Sequence, residues 1–171
     1  MAIYKETLKL SSSGRGVTFH NITEQVREIV AKSGIQNGMV VVQSQHTTSS
    51  VIFEEFVHDY DLNDYDFLQI DLLRVLDRII PPQTTENAEY RYPGPKHIEF
   101  AEAWEGPEKS HLSTILNADS HLRGSLFGCS ETFIIEDGKM LTGNFVYIYF
   151  VDWDRRYVRE RKCHVMVMGE K

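Results

Sequence analysis

The sequence predicts an α+β fold with mixed, mostly antiparallel β-sheets, two main helices and a short third helix. Two stretches in the first half place apolar residues at helical spacing, whereas the second half consists mostly of strand-like segments. The regular alternation of strand and helix that is typical of a doubly wound α/β fold is absent. Because 171 residues suit one compact unit, we expect a single domain over residues 1–171.

The first predicted helix follows a short strand and runs from Asn21 to about residue 33. Asn21 and Glu24 have the spacing of a capping box, and Gly34 suits the residue that ends a helix. The apolar residues between them recur every three or four positions: Ile22, Val26, Ile29 and Val30.

A buried strand is predicted over residues 38–45, which include three consecutive valines, and residues 51–53 are expected to resume it. The second helix is predicted over residues 64–79, and Pro81 and Pro82 prevent its continuation.

Residues 83–110 form a long polar connection, with a short helical turn expected near residues 97–104. A short third helix is predicted over residues 119–127, ended by Gly128. The Asp137-Gly138 dipeptide then predicts a tight hairpin, and residues 145–151 and 157–168 are expected to form two long strands.

The charge balance excludes a general nucleic-acid binder, because 25 acidic residues against 18 basic ones give a net charge of −7. A local basic pocket for a small anion is still compatible with this balance, and Arg155 and Arg156 suit one. No stretch approaches the ~18 apolar residues of a membrane span, so we expect no membrane partner. Two cysteines without metal spacing predict free thiols and a cytoplasmic protein.

Three histidines lie in polar stretches rich in small residues, and they are the strongest functional signal. His46 opens the run HTTSS, while His111 and His121 enclose a run that includes Asn117 and Asp119. Imidazoles beside a carboxylate and hydroxyls can hold a divalent cation or a phosphate. Three neutral imidazoles leave an open coordination position on zinc, as in catalytic zinc sites.

Two carboxylates have alternative interpretations. Asp119 or Glu55 could orient a histidine ring or act as an acid or base. Equally, Glu54-Glu55 could be a solvated strand edge, and Asp119 could cap the helix that it begins.

Four segments of the chain carry a family pattern: QSQHTTSSVIFEE, LDRIIPP, NADSHLRGSLFG and EDGKMLTGNFVYIYFVDWDRR. They resemble the YjbQ-like family, which is associated with a secondary thiamine-phosphate synthase activity. The resemblance covers nearly the whole chain, with residues 83–110 as an inserted loop segment. It departs from the family pattern at Glu54, at Phe56 and over residues 143–146, where amide and other polar residues are usual.

The resemblance implies a YjbQ-like α+β domain, a homotrimer, and a pocket holding a divalent metal ion, zinc or magnesium. The implied metal ligands are His46, His111 and His121, with Glu55, Asn117 and Asp119 as catalytic residues. The implied reaction joins hydroxymethylpyrimidine diphosphate to a thiazole phosphate and releases pyrophosphate. The expected phosphate-binding residues are Thr47, Thr48, Arg123, Ser125, Arg155 and Arg156.

The sequence leaves two other functions open. One is a metal- or phosphometabolite-binding trimer without turnover. The other is an assembly module in which the aromatic residues of 83–110 dock a partner protein; these are Tyr90, Tyr92, Phe100 and Trp104.

Overall fold

The computed structural model describes residues 1–84, 89–105 and 115–171, which include four helices and eight strands. The helices are α1 (Thr23–Ser33), α2 (Phe67–Ile79), α3 (Pro95–Glu105) and α4 (Ala118–Phe127). The strands are β1 (Ala2–Ser11), β2 (Thr18–Asn21), β3 (Asn37–Ser44), β4 (Ser49–Glu55), β5 (Ser130–Glu136), β6 (Lys139–Met140), β7 (Val146–Asp152) and β8 (Glu160–Glu170). The predicted α+β class is confirmed.

The strands form two antiparallel sheets, of order β1-β8-β3-β5-β6 and β2-β7-β4. The expectation that residues 51–53 resume the preceding strand is wrong. The turn after β3 carries the chain into the second sheet, where β4 pairs with β7. His46 therefore lies at the corner between the two sheets.

The main core lies where the five-stranded sheet packs against α1 and the inner side of the second sheet. It includes the alternate residues Cys163, Val165 and Val167 of β8, together with Val26 and Ile29 of α1. A second cluster surrounds the fully buried Trp153, which stacks on Phe127 of α4. That cluster fixes the end of β7 against α4.

The predicted capping box of α1 is wrong, although Gly34 ends the helix in the left-handed conformation as expected. Asn21 belongs to β2, and its Oδ1 accepts from the backbone N–H and the hydroxyl of Thr23. Because the Asn21 side-chain oxygen accepts from Thr23, only two residues later, it does not accept the backbone N–H one turn into the helix that a capping box requires.

The second helix begins later than predicted, because the capping box is built by Asp66 and Gln69 and the helix starts at Phe67. The short turn predicted near residues 97–104 is instead the full helix α3. The hairpin at Asp137-Gly138 is confirmed, with φ of 49° and 73°. Within the described residues, no helix is long and apolar enough to cross a membrane.

Candidate functional site

The turn that presents His46 is held by two serine hydroxyls. Ser44 Oγ accepts the His46 backbone N–H at 3.0 Å and lies 2.5 Å from Ser49 Oγ. The Ser49 hydroxyl in turn donates to the His46 carbonyl at 3.2 Å. Because both serines are buried, these bonds fix the direction in which the turn presents the imidazole.

The His46 imidazole accepts a hydrogen bond from the backbone of β8. The Lys162 N–H donates to His46 Nε2 at 3.0 Å. Burial, reinforced by the nearby Arg161 guanidinium, lowers the pKa of His46, which favours the neutral ring. A neutral imidazole whose Nε2 accepts must carry its proton on Nδ1, so His46 presents an N–H donor.

Helix α4 contributes His121 and Asn117. The Tyr92 ring lies against the His121 ring, with centroids 5.5 Å apart, and burial lowers the pKa of His121. Asn117 is the N-cap residue of the helix, but its side chain makes no capping bond, and its Oδ1 is buried with no hydrogen-bond partner among the described residues. An unsatisfied buried oxygen is costly, so Asn117 is suited to accept a bond from a ligand.

Arg161 lies in the buried face of β8 and is fixed in a rigid geometry. Its Nε and Nη2 bind the two carboxylate oxygens of Asp152 at 2.6 and 2.8 Å, and Nη2 also donates to Thr48 Oγ1 at 2.9 Å. Both Arg161 and Asp152 are buried. The bonds to Asp152 leave the Arg161 Nη1 without a partner among the described residues, and the Thr48 hydroxyl keeps its proton to donate.

The loop between β7 and β8 adds a second arginine–carboxylate pair, in which Arg159 Nε donates to Asp154 Oδ2 at 2.7 Å. Together these elements enclose a cavity of about 350 Å³. Its lining residues are Gln45, His46, Thr47, Thr48, Tyr92, Ile115, Asn117, His121, Asp154, Arg159 and Arg161. We call this the histidine cavity.

A smaller cavity of about 60 Å³ lies beside it and shares Asn117 and Asp154. It holds Asp119, Arg155 and Arg156. Burial raises the pKa of Asp119, opposed by backbone N–H groups and the nearby arginines, and Arg155 Nε lies 3.9 Å from its Oδ2. Here the arginines bind protein groups: Arg156 donates to the Gln83 carbonyl, and Arg155 donates to Asp77 at 2.5 Å.

A family model described as UPF0047 protein YjbQ-like matches residues 6–170. The chain belongs to the YjbQ-like UPF0047 family. A UPF0047 protein of Methanothermobacter thermautotrophicus is 30% identical over 170 residues, covering 99% of this chain and 95% of that protein. A UPF0047 protein of Methanocaldococcus jannaschii is 28% identical over 151 residues, 88% of this chain and 85% of its own length.

Solved structures show the same YjbQ-like architecture. A YjbQ/UPF0047 protein of Clostridium acetobutylicum has a TM-score of 0.65 at 27% identity, covering 96% of this chain and 98% of that chain. A YbjQ-like protein of Sulfolobus solfataricus has a TM-score of 0.69 at 24% identity, covering 98% of both chains. The YjbQ-like fold inferred from the motifs is therefore confirmed.

In this YjbQ-like chain the predicted site residues lie in different parts of the structure. The histidine cavity brings together His46, Thr47, Thr48, Asn117 and His121. Asp119, Arg155 and Arg156 line the smaller cavity instead. His111 lies outside the described residues.

The remaining predicted residues line neither cavity. Arg123 is fully buried on the inner side of α4 and donates to Asp77 and to the Ile80 carbonyl, so it holds α4 to the end of α2. Ser125 is exposed on α4, and Glu55 is exposed at the far end of β4. From these positions, the side chains of Arg123, Ser125 and Glu55 do not contact a ligand in the histidine cavity.

The described part of the chain does not by itself fit a divalent cation. Within it, no three His, Cys, Asp or Glu side chains are grouped as metal ligands. His46 Nε2 already accepts from Lys162, and the Asp154 carboxylate already binds Arg159. Among His46, His121 and Asp154, this leaves the His121 ring as the one without a hydrogen bond to residues 1–84, 89–105 or 115–171. The metal prediction, which also depends on His111, stays a prediction.

Arg159 and Arg161 were not assigned to the site from the sequence. The signal was present, because a charged residue that alternates with Cys163 and Val165 on a buried face needs a buried partner. The partner, Asp152, ends an otherwise apolar strand. Tyr92 had no comparable signal, since its place in the cavity wall depends on tertiary contacts such as the one with His121.

Proposed function

We propose that this protein is an enzyme acting on a phosphorylated small molecule, whose phosphate groups bind in the histidine cavity. The observation that supports this most is the bond from Lys162 to His46 Nε2, which makes His46 a donor. Arg161 Nη1 and the hydroxyls of Thr47 and Thr48 add further donors on the same wall. Phosphate oxygens accept from such a set of N–H and O–H groups.

The charge balance of the cavity also suits a bound anion. Each arginine is paired with an aspartate, Arg161 with Asp152 and Arg159 with Asp154, and the lowered pKa values keep both imidazoles neutral. The charges that line the cavity are therefore balanced within the protein. When a phosphate enters and excludes water, its interactions with the fixed N–H and O–H dipoles and with the edge of the Arg161 guanidinium become stronger.

The reaction suggested by the family resemblance forms thiamine phosphate from hydroxymethylpyrimidine diphosphate and a thiazole phosphate. In it the thiazole nitrogen bonds to the pyrimidine methylene carbon while that carbon's bond to the diphosphate oxygen breaks. The bonding electrons leave with pyrophosphate. Donors from His46, Thr48 and Arg161 would stabilise the negative charge that develops on the leaving oxygen.

Binding and turnover can be tested separately on the full chain. Calorimetry with inorganic pyrophosphate should show binding that Thr48→Val and His121→Ala each weaken about tenfold, consistent with the loss of one hydrogen bond to a charged group. Thr132→Val is a matched control, because Thr132 is exposed on β5 away from the cavity. Pyrophosphate release from the two thiamine precursors then measures catalysis, with metal content determined on the same sample. Unchanged release in both His46→Ala and His121→Ala would exclude a catalytic role for the cavity.

A phosphometabolite-binding protein without turnover is the second candidate. It is favoured by the positions of Glu55 and Asp119, because neither carboxylate lines the histidine cavity and Asp154 is bound to Arg159. This candidate predicts the same pyrophosphate affinity with no product from any precursor pair. The proposed homotrimer, on either account, is tested by the sedimentation mass of the chain.

A further inference from the structure

A row of aromatic rings leads out of the histidine cavity along α3. It begins at Tyr92, which lines the cavity and contacts His121. The next ring is His97, whose centroid lies 4.9 Å from Tyr92 and whose Nε2 lies 2.9 Å from the Tyr92 hydroxyl. Phe100 follows at 6.3 Å, and Trp104 follows Phe100 at 6.3 Å. We call these four residues the aromatic row.

The outer half of the row is exposed on one face of α3. Phe100 and Trp104 are four residues apart, so they lie above one another on the helix, and they are 61% and 80% exposed. Ala101 is buried, so the exposed rings lie beside the side of α3 that packs against the rest of the chain. Large apolar rings left in water along one face form a surface that can bind an apolar group.

The geometry of the row suits a flat group better than a globular one. The Phe100 and Trp104 rings are nearly parallel, at 20°, and His97 is tilted from Phe100 by 38°. The rings of His97, Phe100 and Trp104 therefore form a shallow surface with a large area for stacking and few hydrogen-bonding groups. A planar heterocycle gains from stacking on rings of this kind, as nucleic-acid bases do on aromatic side chains.

We propose that the aromatic row is a stacking subsite that selects phosphorylated ligands with a planar nitrogen heterocycle, such as a pyrimidine joined to a diphosphate. This inference rests on the proposed function, because the phosphates are held in the histidine cavity while the ring lies against His97 and Phe100. Tyr92 connects the two parts, since it belongs both to the cavity wall and to the row. Phe100 and Trp104 are thereby specificity-determining residues.

The test compares three probes on the full chain: cytidine 5′-diphosphate, inorganic pyrophosphate and cytidine. Trp104 is a built-in reporter, because the only other tryptophan, Trp153, is fully buried. We expect cytidine diphosphate to bind about tenfold more tightly than pyrophosphate, as stacking of one base allows, and to quench the emission of Trp104. Cytidine alone should bind too weakly to quench at the same concentrations.

Two variants and a matched control locate the effect. Phe100→Leu and Trp104→Leu should each reduce the affinity for cytidine diphosphate severalfold and leave the affinity for pyrophosphate unchanged. Phe145→Leu is the control, because Phe145 is 65% exposed and lies just before β7, whose opposite end meets the cavity. It should change neither affinity.

The outcomes separate this inference from the proposed function. Pyrophosphate binding with no advantage for cytidine diphosphate overturns the subsite and leaves the phosphate pocket intact. A preference for cytidine diphosphate that survives both leucine variants also overturns the subsite. Absence of binding by every phosphorylated probe overturns both proposals. Self-association lost in Trp104→Leu, without a ring effect, would instead make the row a protein contact.

Discussion

The backbone N–H of Lys162, on β8, donates to Nε2 of His46, in the turn between β3 and β4, at 3.0 Å. A main-chain donor cannot change its protonation state, so this bond fixes which nitrogen of His46 accepts. The side chain that the sequence marked as a metal ligand thus presents an N–H in this structure. This relationship is the basis of the phosphate-binding proposal.

The first prediction concerns the tautomer of His46. At neutral pH the ring should be neutral with its proton on Nδ1, because burial and Arg161 lower its pKa and Lys162 occupies Nε2. Two-dimensional ¹⁵N NMR of the histidine rings distinguishes the tautomers directly. The exposed His58 serves as a reference ring outside the cavity. A protonated Nε2 on His46 is the result that contradicts the assignment.

The second prediction concerns the Asp152–Arg161 pair under the cavity. Asp152→Asn should lower the free energy of unfolding by about 3 kcal/mol, because it leaves a buried guanidinium without its counter-charge. Pyrophosphate affinity should also fall, since Arg161 loses the bonds that orient it. Denaturant unfolding and calorimetry measure the two effects.

The exposed pair Glu24–Arg27 provides a matched control for that variant. Its side chains are 74% and 44% exposed, so Glu24→Gln should change stability by less than about 1 kcal/mol. Equal effects of Asp152→Asn and Glu24→Gln would show that the buried pair has no special role.

The third prediction uses Glu54, whose pKa is raised to about 7 by burial and by the nearby carboxylate of Asp66. Its Oε2 is buried without a hydrogen-bond partner in the described part of the chain. The folded state therefore binds this proton more tightly than the unfolded state does. Stability should fall as pH rises from about 4.5 to above 7, because ionised Glu54 is unfavourable only in the folded chain.

Glu54→Gln should consequently stabilise the protein at pH values above 7, on the order of 2 kcal/mol, with the gain shrinking as the pH falls towards 4.5. Glu55→Gln is the control, because the adjacent carboxylate is exposed. Thermal unfolding across this pH range is the measurement. A pH-independent gain would mean that packing, and not ionisation, explains the effect.

Local patterns allowed the fold class and half of the site to be predicted. The valine-rich strand that ends at Ser44 and the polar turn after it identified His46, and the polar helix start at Asn117 identified the second wall. Both signals can be recognised in a short stretch of sequence, and residues at strand ends and helix starts often line functional sites. The Asp137-Gly138 turn was predictable for the same reason.

Long-range pairing could not be predicted. Arg123 reads as part of a phosphate motif, yet its guanidinium is buried against Asp77 and the Ile80 carbonyl. Arg161 reads as one position on a strand face, yet it binds Asp152 and lines the cavity. In both cases the role depends on a partner from another element, and one sequence contains no record of that pairing.

A titration of the full chain with inorganic pyrophosphate, followed by ¹H–¹⁵N NMR, is the decisive test of the phosphate site. We expect saturable shifts of the backbone amides of Thr47, Thr48 and Asn117 and of the ring signals of His46 and His121. Shifts confined to other surfaces, or none at millimolar pyrophosphate, would contradict a phosphate site in the histidine cavity.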